Sequence, residues 1–395
     1  MNGDEDIEGG WGAIGYNIGE LEITRYYASL QRMLDCHSKQ RSMQGTKIKY
    51  AVAMSGGVDS STAAAILLND GYHVVGVTMD IHEHSASAVD GARKICELLR
   101  IEHFVLDARF EFKQRVMDVF ASYYARGLTP NPCALCNRDI KMSLLFDYAK
   151  SLGASKLATG HYAHMSINDG VVRLREAANP KRDQSYFLAL VPRQNLKDIL
   201  FPLSNMRDKD ETRRLAKSFG LPNFKQEDSQ DICFIPDGNY KSFLRAHYSD
   251  LNMFVSGDMK LFQSGKTIGR HCGVANYTVG QRRGLGVSHS SPLYVKEVNP
   301  SENEITLCQA NELSTLCFEV LDVNWILEMP DSFEAFIKQR SACPKTPALI
   351  TKITETRISV ELLKRPSSPI TGGQICVMYD SENIVIGGGI ISELK

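Results

Sequence analysis

The sequence predicts an α/β protein: a parallel-sheet domain, then a small central domain, then a C-terminal domain of β-barrel type. Three observations carry this. From residue 46 to about 165, strand patterns alternate with helix patterns, which implies a parallel sheet covered by helices. The run Ser55-Gly56-Gly57-Val58-Asp59-Ser60 joins the first strand pattern to the first helix pattern, at the carboxyl end of a strand where such sheets bind ligands. From about residue 236, glycine-rich turns separate short alternating segments, the texture of a small β domain. The expected divisions are an extension over 1–45, a catalytic domain over 46–235, a central domain over 236–305 and a C-terminal domain over 306–395.

The elements follow in order. The extension opens with acidic, glycine-rich Met1–Gly10 and contains an amphipathic stretch near Glu20–Met33, to which no role is assigned. Ile48–Met54 reads as a buried strand, and Ser61–Asn69, rich in alanine, as a helix stopped by Asp70-Gly71. Strand patterns recur at Val74–Asp80, His103–Asp107 and Lys156–Ala163. Between the first two, Val89, Ala92, Cys96 and Leu99 repeat at helical spacing. Asp139–Leu152 reads as helix, as does Asp208–Phe219, which Gly220-Leu221-Pro222 terminates. On the latter, Lys209, Arg213 and Lys217 recur every four residues and should share one face, suited equally to solvent or to RNA. Later strands are expected at Leu293–Val298, Ile305–Leu307, Ala348–Ile353, Ile358–Leu362 and Gln374–Tyr379.

Length and composition bound the function. A chain of 395 residues exceeds what one hydrophobic core serves. No apolar run is long enough to span a bilayer, and the first residues resemble neither a secretory signal nor a transit peptide. A cytoplasmic location, with reduced cysteines, is therefore expected. The net charge of −1 argues against a nonspecific nucleic-acid binder but leaves room for a local basic face. Seven of the ten cysteines, Cys36, Cys96, Cys272, Cys308, Cys317, Cys343 and Cys376, lie in no motif and read as small core residues.

The glycine run is a phosphate cradle. Small residues let backbone N–H groups approach an anion, and the helix N-terminus behind them adds partial positive charge. Ser55, Ser60 and Ser61 are expected to offer further donors. The spacing and the missing lysine exclude the common GxxxxGK[ST] loop.

The second segment is Thr129-Pro130-Asn131-Pro132-Cys133-Ala134-Leu135-Cys136-Asn137. Two prolines predict a stiff approach. With a helix expected from Asp139, Cys136 should lie near a helix N-terminus, which lowers a thiol pKa, and Arg138 should add to that. A CxxC pair has three readings: half a zinc site, a redox pair, or a nucleophile with a neighbour. A second CxxC, which a zinc ribbon needs, is missing.

The loop resembles the SGGxDS loop of the PP-loop ATP pyrophosphatases. Further matches follow in order: TPNPxxxCN, Thr159-Gly160-His161-Tyr162, Asp183-Gln184-Ser185-Tyr186-Phe187, Ser229-Gln230-Asp231-Ile232-Cys233-Phe234-Ile235, Tyr277–Gly284 and Gly387-Gly388-Gly389. Together, over about residues 46–395, they resemble the bacterial tRNA-uridine 2-sulfurtransferases, the tRNA-specific 2-thiouridylases of the MnmA family.

The resemblance implies ATP-dependent 2-thiolation of the wobble uridine of tRNAs of the Glu, Gln and Lys type. It makes Cys136 catalytic and Cys233 the persulfide carrier. It places Ala53, Met54, Ser55, Gly56, Gly57, Val58, Asp59, Ser60, Met79 and Gly160 at the ATP site, with Mg²⁺ as the companion ion. Asn131, Pro132 and Cys133 correspond to the segment that meets the target base. His161, Arg182, Asp183, Gln184 and Gln374 correspond to tRNA contacts, with Lys338 and Gln339 as the nearest counterparts of a C-terminal contact. The implied partners are tRNA and an upstream sulfur carrier or cysteine desulfurase relay, and a monomer is expected. One departure stands out: many members carry aspartate where this chain has Cys133. Three motif thiols, Cys133, Cys136 and Cys233, leave a [4Fe–4S] route as a second reading. A PP-loop ligase of another kind and a non-enzymatic RNA binder are the other classes; the paired distant cysteines argue against the first and the intact ATP loop against the second.

Overall fold

The computed structural model describes residues 48–227, 231–313 and 315–393. The extension 1–45 with its amphipathic stretch and Cys36 lies outside these, as do Asp228, Ser229 and Gln230.

Strands β1 (Lys49–Ala53), β2 (His73–Asp80), β3 (His103–Asp107), β4 (Lys156–Ala158) and β7 (Ile199–Leu200) form one parallel sheet in the order β3-β2-β1-β4-β7. The order reverses direction about β1, and the crevice at that switch point is where the glycine run lies. β1 is short and buried over its three middle residues, consistent with a central parallel strand. Helix α1 (Val58–Asn69) follows the glycine run, and α2 (Ala86–Leu99) follows β2, burying Ala92, Ile95 and Cys96. The expected strand Lys156–Ala163 is cut to three residues. Beyond Ala158 the chain leaves the ladder, packs Gly160 against the backbone of Asp59 and Ser60, and resumes as the hairpin β5 (His164–Asn168) and β6 (Val171–Arg175).

The second sheet, β10-β11-β8-β9, comprises β8 (Gly257–Leu261), β9 (Thr267–His271), β10 (Tyr294–Asn299) and β11 (Glu304–Cys308). The expected division at 305/306 falls inside β11. The third unit is a closed six-stranded barrel, β12-β15-β14-β13-β16-β17. Its strands are β12 (Cys317–Trp325), β13 (Ser332–Lys338), β14 (Thr346–Thr354), β15 (Arg357–Leu362), β16 (Ile375–Tyr379) and β17 (Val385–Ile391). Closure leaves no unpaired edge.

The three parts share cores. Barrel residues Ile326, Ile375, Val377, Tyr379 and Val385 pack with Ala51, Val75 and Leu157 of the parallel sheet. A second core joins Phe112, Phe120, Cys136, Ile140 and Phe234 to Met259, Val295 and Leu307 of the second sheet. No helix among the described residues is long and apolar enough to cross a membrane.

Of the cysteines expected in the core, Cys96, Cys308 and Cys376 are buried, whereas Cys272 and Cys317 are exposed and Cys343 is half-buried.

Candidate functional site

A cavity of about 1680 Å³ opens at the carboxyl ends of β1 and β2. Its lining includes Met54, Ser55, Gly57, Val58 and Asp59 from the glycine run, Met79 from β2, and Cys133, Cys136 and Cys233. A phosphate loop and three thiols, separated by up to 178 residues of chain, thus face one space.

The loop is held by its own chemistry. Gly56 adopts φ +75°, and a Cβ there would stand 2.9 Å from the Ala88 carbonyl oxygen of α2, so only glycine fits. Asn223 Nδ2 donates to Gly56 O at 2.9 Å. Gly160 packs so closely that a Cβ would meet the Asp59 carbonyl carbon and Ser60 nitrogen at 2.8 Å. The expectation of three hydroxyl donors is corrected in part. Ser60 and Ser61 are buried and donate to Gly57 O, at 3.1 and 2.9 Å, stitching the loop to α1. Ser55 alone is exposed, on the cavity wall.

Asp59 is also committed. Lys209 Nζ lies 2.7 and 2.8 Å from its two carboxylate oxygens, and the Tyr162 hydroxyl donates to Oδ1 at 2.8 Å. Lys209 opens helix α6 (Lys209–Ser218), which Asp208 caps by accepting from the Glu211 N–H. The expected basic face is therefore corrected: Lys209 is 4% exposed and serves the loop, while Lys217 stays exposed. Sequence reasoning missed Lys209 because its partner lies 150 residues away.

The cysteine segment starts earlier than expected. Asn131 caps the turn α4 (Pro132–Cys136), accepting from Ala134 N–H at 3.1 Å, with Pro132 in the first position. Cys136 therefore ends this turn instead of beginning a helix, and the predicted lowering of its thiol pKa is overturned. Cys136 is 6% exposed, and burial pushes its thiol up to about 12, against the pull of Lys141. Arg138 does not help, since its guanidinium is bound bidentately by Asp139 at 2.7 and 2.8 Å. Burial also raises the thiols of Cys133 and Cys233, and Lys141 lowers both. Both are exposed to the cavity, and all three thiols are free. Among the described residues no three His, Cys, Asp or Glu side chains are arranged to hold a metal ion. A cluster on Cys133, Cys136 and Cys233 does not fit this arrangement.

The approach to the turn is clamped from both sides. Gly127, at φ +72°, sits against Val298 O of the second sheet, and Gly373, at φ +88°, against Thr129 N. Gln374 donates to Thr129 O and Pro130 O at 3.0 and 3.2 Å. Gln374, expected to touch tRNA, here holds the segment that carries the cysteines.

The remaining predicted contacts divide. Arg182 is exposed on the cavity rim beside Lys181. Lys338 lines the cavity and pairs with Glu176 at 3.9 Å, as does Lys345 at 2.9 Å. Asp183 accepts from Ala177 N, Ser185 N and Ser185 Oγ, and Gln184 Oε1 accepts from Tyr162 N, so both polar groups brace the wall. Gln339 is a correction: just past the end of β13 it is 1% exposed, beside Ser368, and offers no surface to RNA. His161 pairs with Thr159 Oγ1 at 2.8 Å, and burial, aided by Lys141, holds its pKa down to about 3.

Comparison with known proteins agrees with this layout. Residues 48–237 match the family model described as a tRNA methyl transferase HUP domain. Residues 241–309 match a tRNA methyl transferase PRC-barrel domain, and 315–391 an aminomethyltransferase beta-barrel domain. The tRNA-specific 2-thiouridylase MnmA of Rickettsia conorii is 39% identical over 358 residues, covering 87% of this chain and 95% of that one. That of Rickettsia bellii is 39% identical over 357 residues, covering 87% and 96%. Among solved structures, NMN synthetase from Francisella tularensis has a TM-score of 0.34 at 17% identity, over 52% of this chain and 75% of that one, too low to carry an argument. At 39% identity over nearly the whole length of its relatives, the chain belongs to the tRNA-specific 2-thiouridylase (MnmA) family.

Proposed function

We propose that this protein is a tRNA-uridine 2-sulfurtransferase. It adenylates the C2 oxygen of the wobble uridine in tRNAs of the Glu, Gln and Lys type and replaces that oxygen with sulfur. The observation that carries the reading is the single cavity joining the phosphate loop to Cys133, Cys136 and Cys233. Adenylation and sulfur transfer must act on the same carbon, so an ATP site and thiols are required within reach of one base.

The uracil C2 carbonyl is a poor electrophile, and its oxygen a poor leaving group. Attack of that oxygen on the α-phosphate of ATP makes an AMP ester and releases pyrophosphate. Ser55, Gly57, Val58 and Asp59 line the cavity, and the N-terminus of α1 behind them offers partial positive charge to the departing phosphates. Both oxygens of Asp59 are engaged by Lys209, so Mg²⁺ would be held chiefly by the ATP phosphates themselves and would supply neutralisation of their charge.

Cys233, exposed to the cavity, receives a terminal sulfur from a carrier or desulfurase relay and becomes a persulfide. The Cys136 thiolate then attacks the inner sulfur. The S–S bond of the persulfide breaks, hydrosulfide leaves towards C2, and a Cys136–Cys233 disulfide forms. Hydrosulfide adds at C2 and AMP departs. A dithiol reductant supplies the two electrons that reopen the disulfide. Pro132 and Cys133, on the cavity wall, flank the base, and Lys181, Arg182 and Lys338 provide positive charge for the backbone. The protein works as a cytoplasmic monomer.

The test is mass spectrometry of tRNA after reaction with ATP, a sulfur donor and either Cys136→Ser or Cys233→Ser. Each variant should bind ATP as the parent does and form no 2-thiouridine. Near-normal thiolation by either would refute the assignment.

A further inference from the structure

After Cys136 the backbone does not continue as an ordinary helix. Asn137–Leu144 is π-helical, and α-helix resumes as α5 (Leu145–Ser151). In an α-helix, 3.6 residues per turn would swing positions 136 and 141 about 140° apart. The i→i+5 repeat of a π-turn instead stacks them on one face. Lys141 accordingly lines the same cavity as Cys136, with Cys133 and Cys233. Its neighbours Ile140 and Met142 are fully buried, one in each of the two cores.

The wide turn is supported from outside. The Ser143 hydroxyl donates to Arg138 O at 2.6 Å, Asn195 Nδ2 to Met142 O at 2.7 Å, and Arg115 to Asp139 O at 3.4 Å. Three carbonyls of the irregular segment thus have side-chain donors, two of them from distant elements. Such turns occur preferentially at functional sites.

We propose that this π-turn exists to aim Lys141 at the thiols, where its ammonium stabilises the thiolate of Cys136 and the anionic persulfide on Cys233. This rests on the sulfur-transfer reading. Burial raises the Cys136 thiol and Lys141 pulls against it; since the thiolate is the form that attacks sulfur, the ammonium enlarges the reactive fraction that burial would otherwise suppress. Arg138 is spent on Asp139. Lys141 is the cation that acts on Cys133, Cys136 and Cys233 alike, and on His161, which it helps to keep neutral. Among the described residues, Lys141, Cys233, Cys133 and Asp139 act on the Cys136 thiol; Asp59, His82, His84, Glu176, Lys181, Arg182, Asp183, Glu227, Asp231, Lys338 and Lys345 also line the cavity, and His161 feels Lys141 as well. Lys141 acts through the cysteines and is a positioning residue.

The experiment measures iodoacetamide alkylation of Cys136 and Cys233 in the full-length protein, residue by residue by mass spectrometry, between pH 6 and 10. Parent, Lys141→Met and Lys141→Arg are compared, with thermal melts to verify folding. Lys141→Met should shift both alkylation profiles to higher pH and slow alkylation at pH 7.5 by about tenfold, one unit of apparent pKa. Thiolation should slow in parallel, and Lys141→Arg should restore most of both. Unshifted alkylation profiles in a folded Lys141→Met protein would overturn the proposal, whether or not thiolation falls. Alkylation needs no tRNA, so a failure of the thiolation reading would appear separately, as absent 2-thiouridine in the parent.

Discussion

Replacing Lys209 with methionine tests how the phosphate loop is held. The change keeps most of the buried stem and removes the ammonium that lies 2.7 and 2.8 Å from the Asp59 oxygens. Among the described residues Asp59 would retain the Tyr162 hydroxyl, itself 2.9 Å from Thr212 Oγ1. Breaking a fully buried ion pair from one side costs about 3–5 kcal/mol. Lys209 is buried, but the Asp59 side chain is 30% exposed, and water there reduces the cost to about 2–3 kcal/mol. Asp59 is the second residue of α1 and abuts Gly160, so the loss falls on the loop conformation that receives phosphates. Expressed wholly as a smaller fraction of competent loop, it weakens apparent ATP affinity about 30- to 150-fold. The assay is the initial rate of pyrophosphate release across ATP concentrations at saturating tRNA. Lys209→Arg should recover part of the affinity, since its fork differs in shape from the ammonium. An ATP dependence within threefold of the parent in Lys209→Met would refute the reasoning.

Three further outcomes are expected. Gly160→Ala should depress pyrophosphate release at least tenfold, because its methyl would meet the backbone of Asp59 and Ser60 at 2.8 Å; parent-like release would show that the loop yields. Cys133→Asp should retain substantial thiolation, since the proposed transfer uses Cys136 and Cys233 alone; loss of activity together with loss of stoichiometric iron from the parent would restore the cluster route. His161 has a folded pKa of about 3 against about 6.5 unfolded. The unfolded chain therefore takes up a proton that the folded one refuses, so this contribution is full above pH 6.5 and is lost as pH falls towards 3. From pH 7 to 5 it costs at most about 2 kcal/mol, and His161→Asn should remove that share of acid sensitivity in urea melts; equal acid losses in parent and variant would contradict it.

Local chemistry made much of this protein legible from sequence. A glycine run between a buried strand and an alanine-rich helix has few backbone conformations open to it, so the phosphate loop and the parallel sheet around it followed directly. The ordered motifs then pointed to Cys136 and Cys233. What depended on distant chain did not follow. The helix start at Asn131, the barrel turn at Gly372–Gln374 and the second sheet at Val298 together set the cysteine segment. They bury Cys136 where a helix start was expected, and the sign of its pKa shift reversed with burial. Lys209 read as one charge on a solvated stripe until tertiary packing laid it on Asp59. Gln339 read as surface until the loop carrying Ser368 packed over it. Charge, spacing and turn chemistry are properties of neighbouring residues, whereas desolvation and ion pairing are properties of whatever the folded chain brings alongside, and only the tertiary structure decides that.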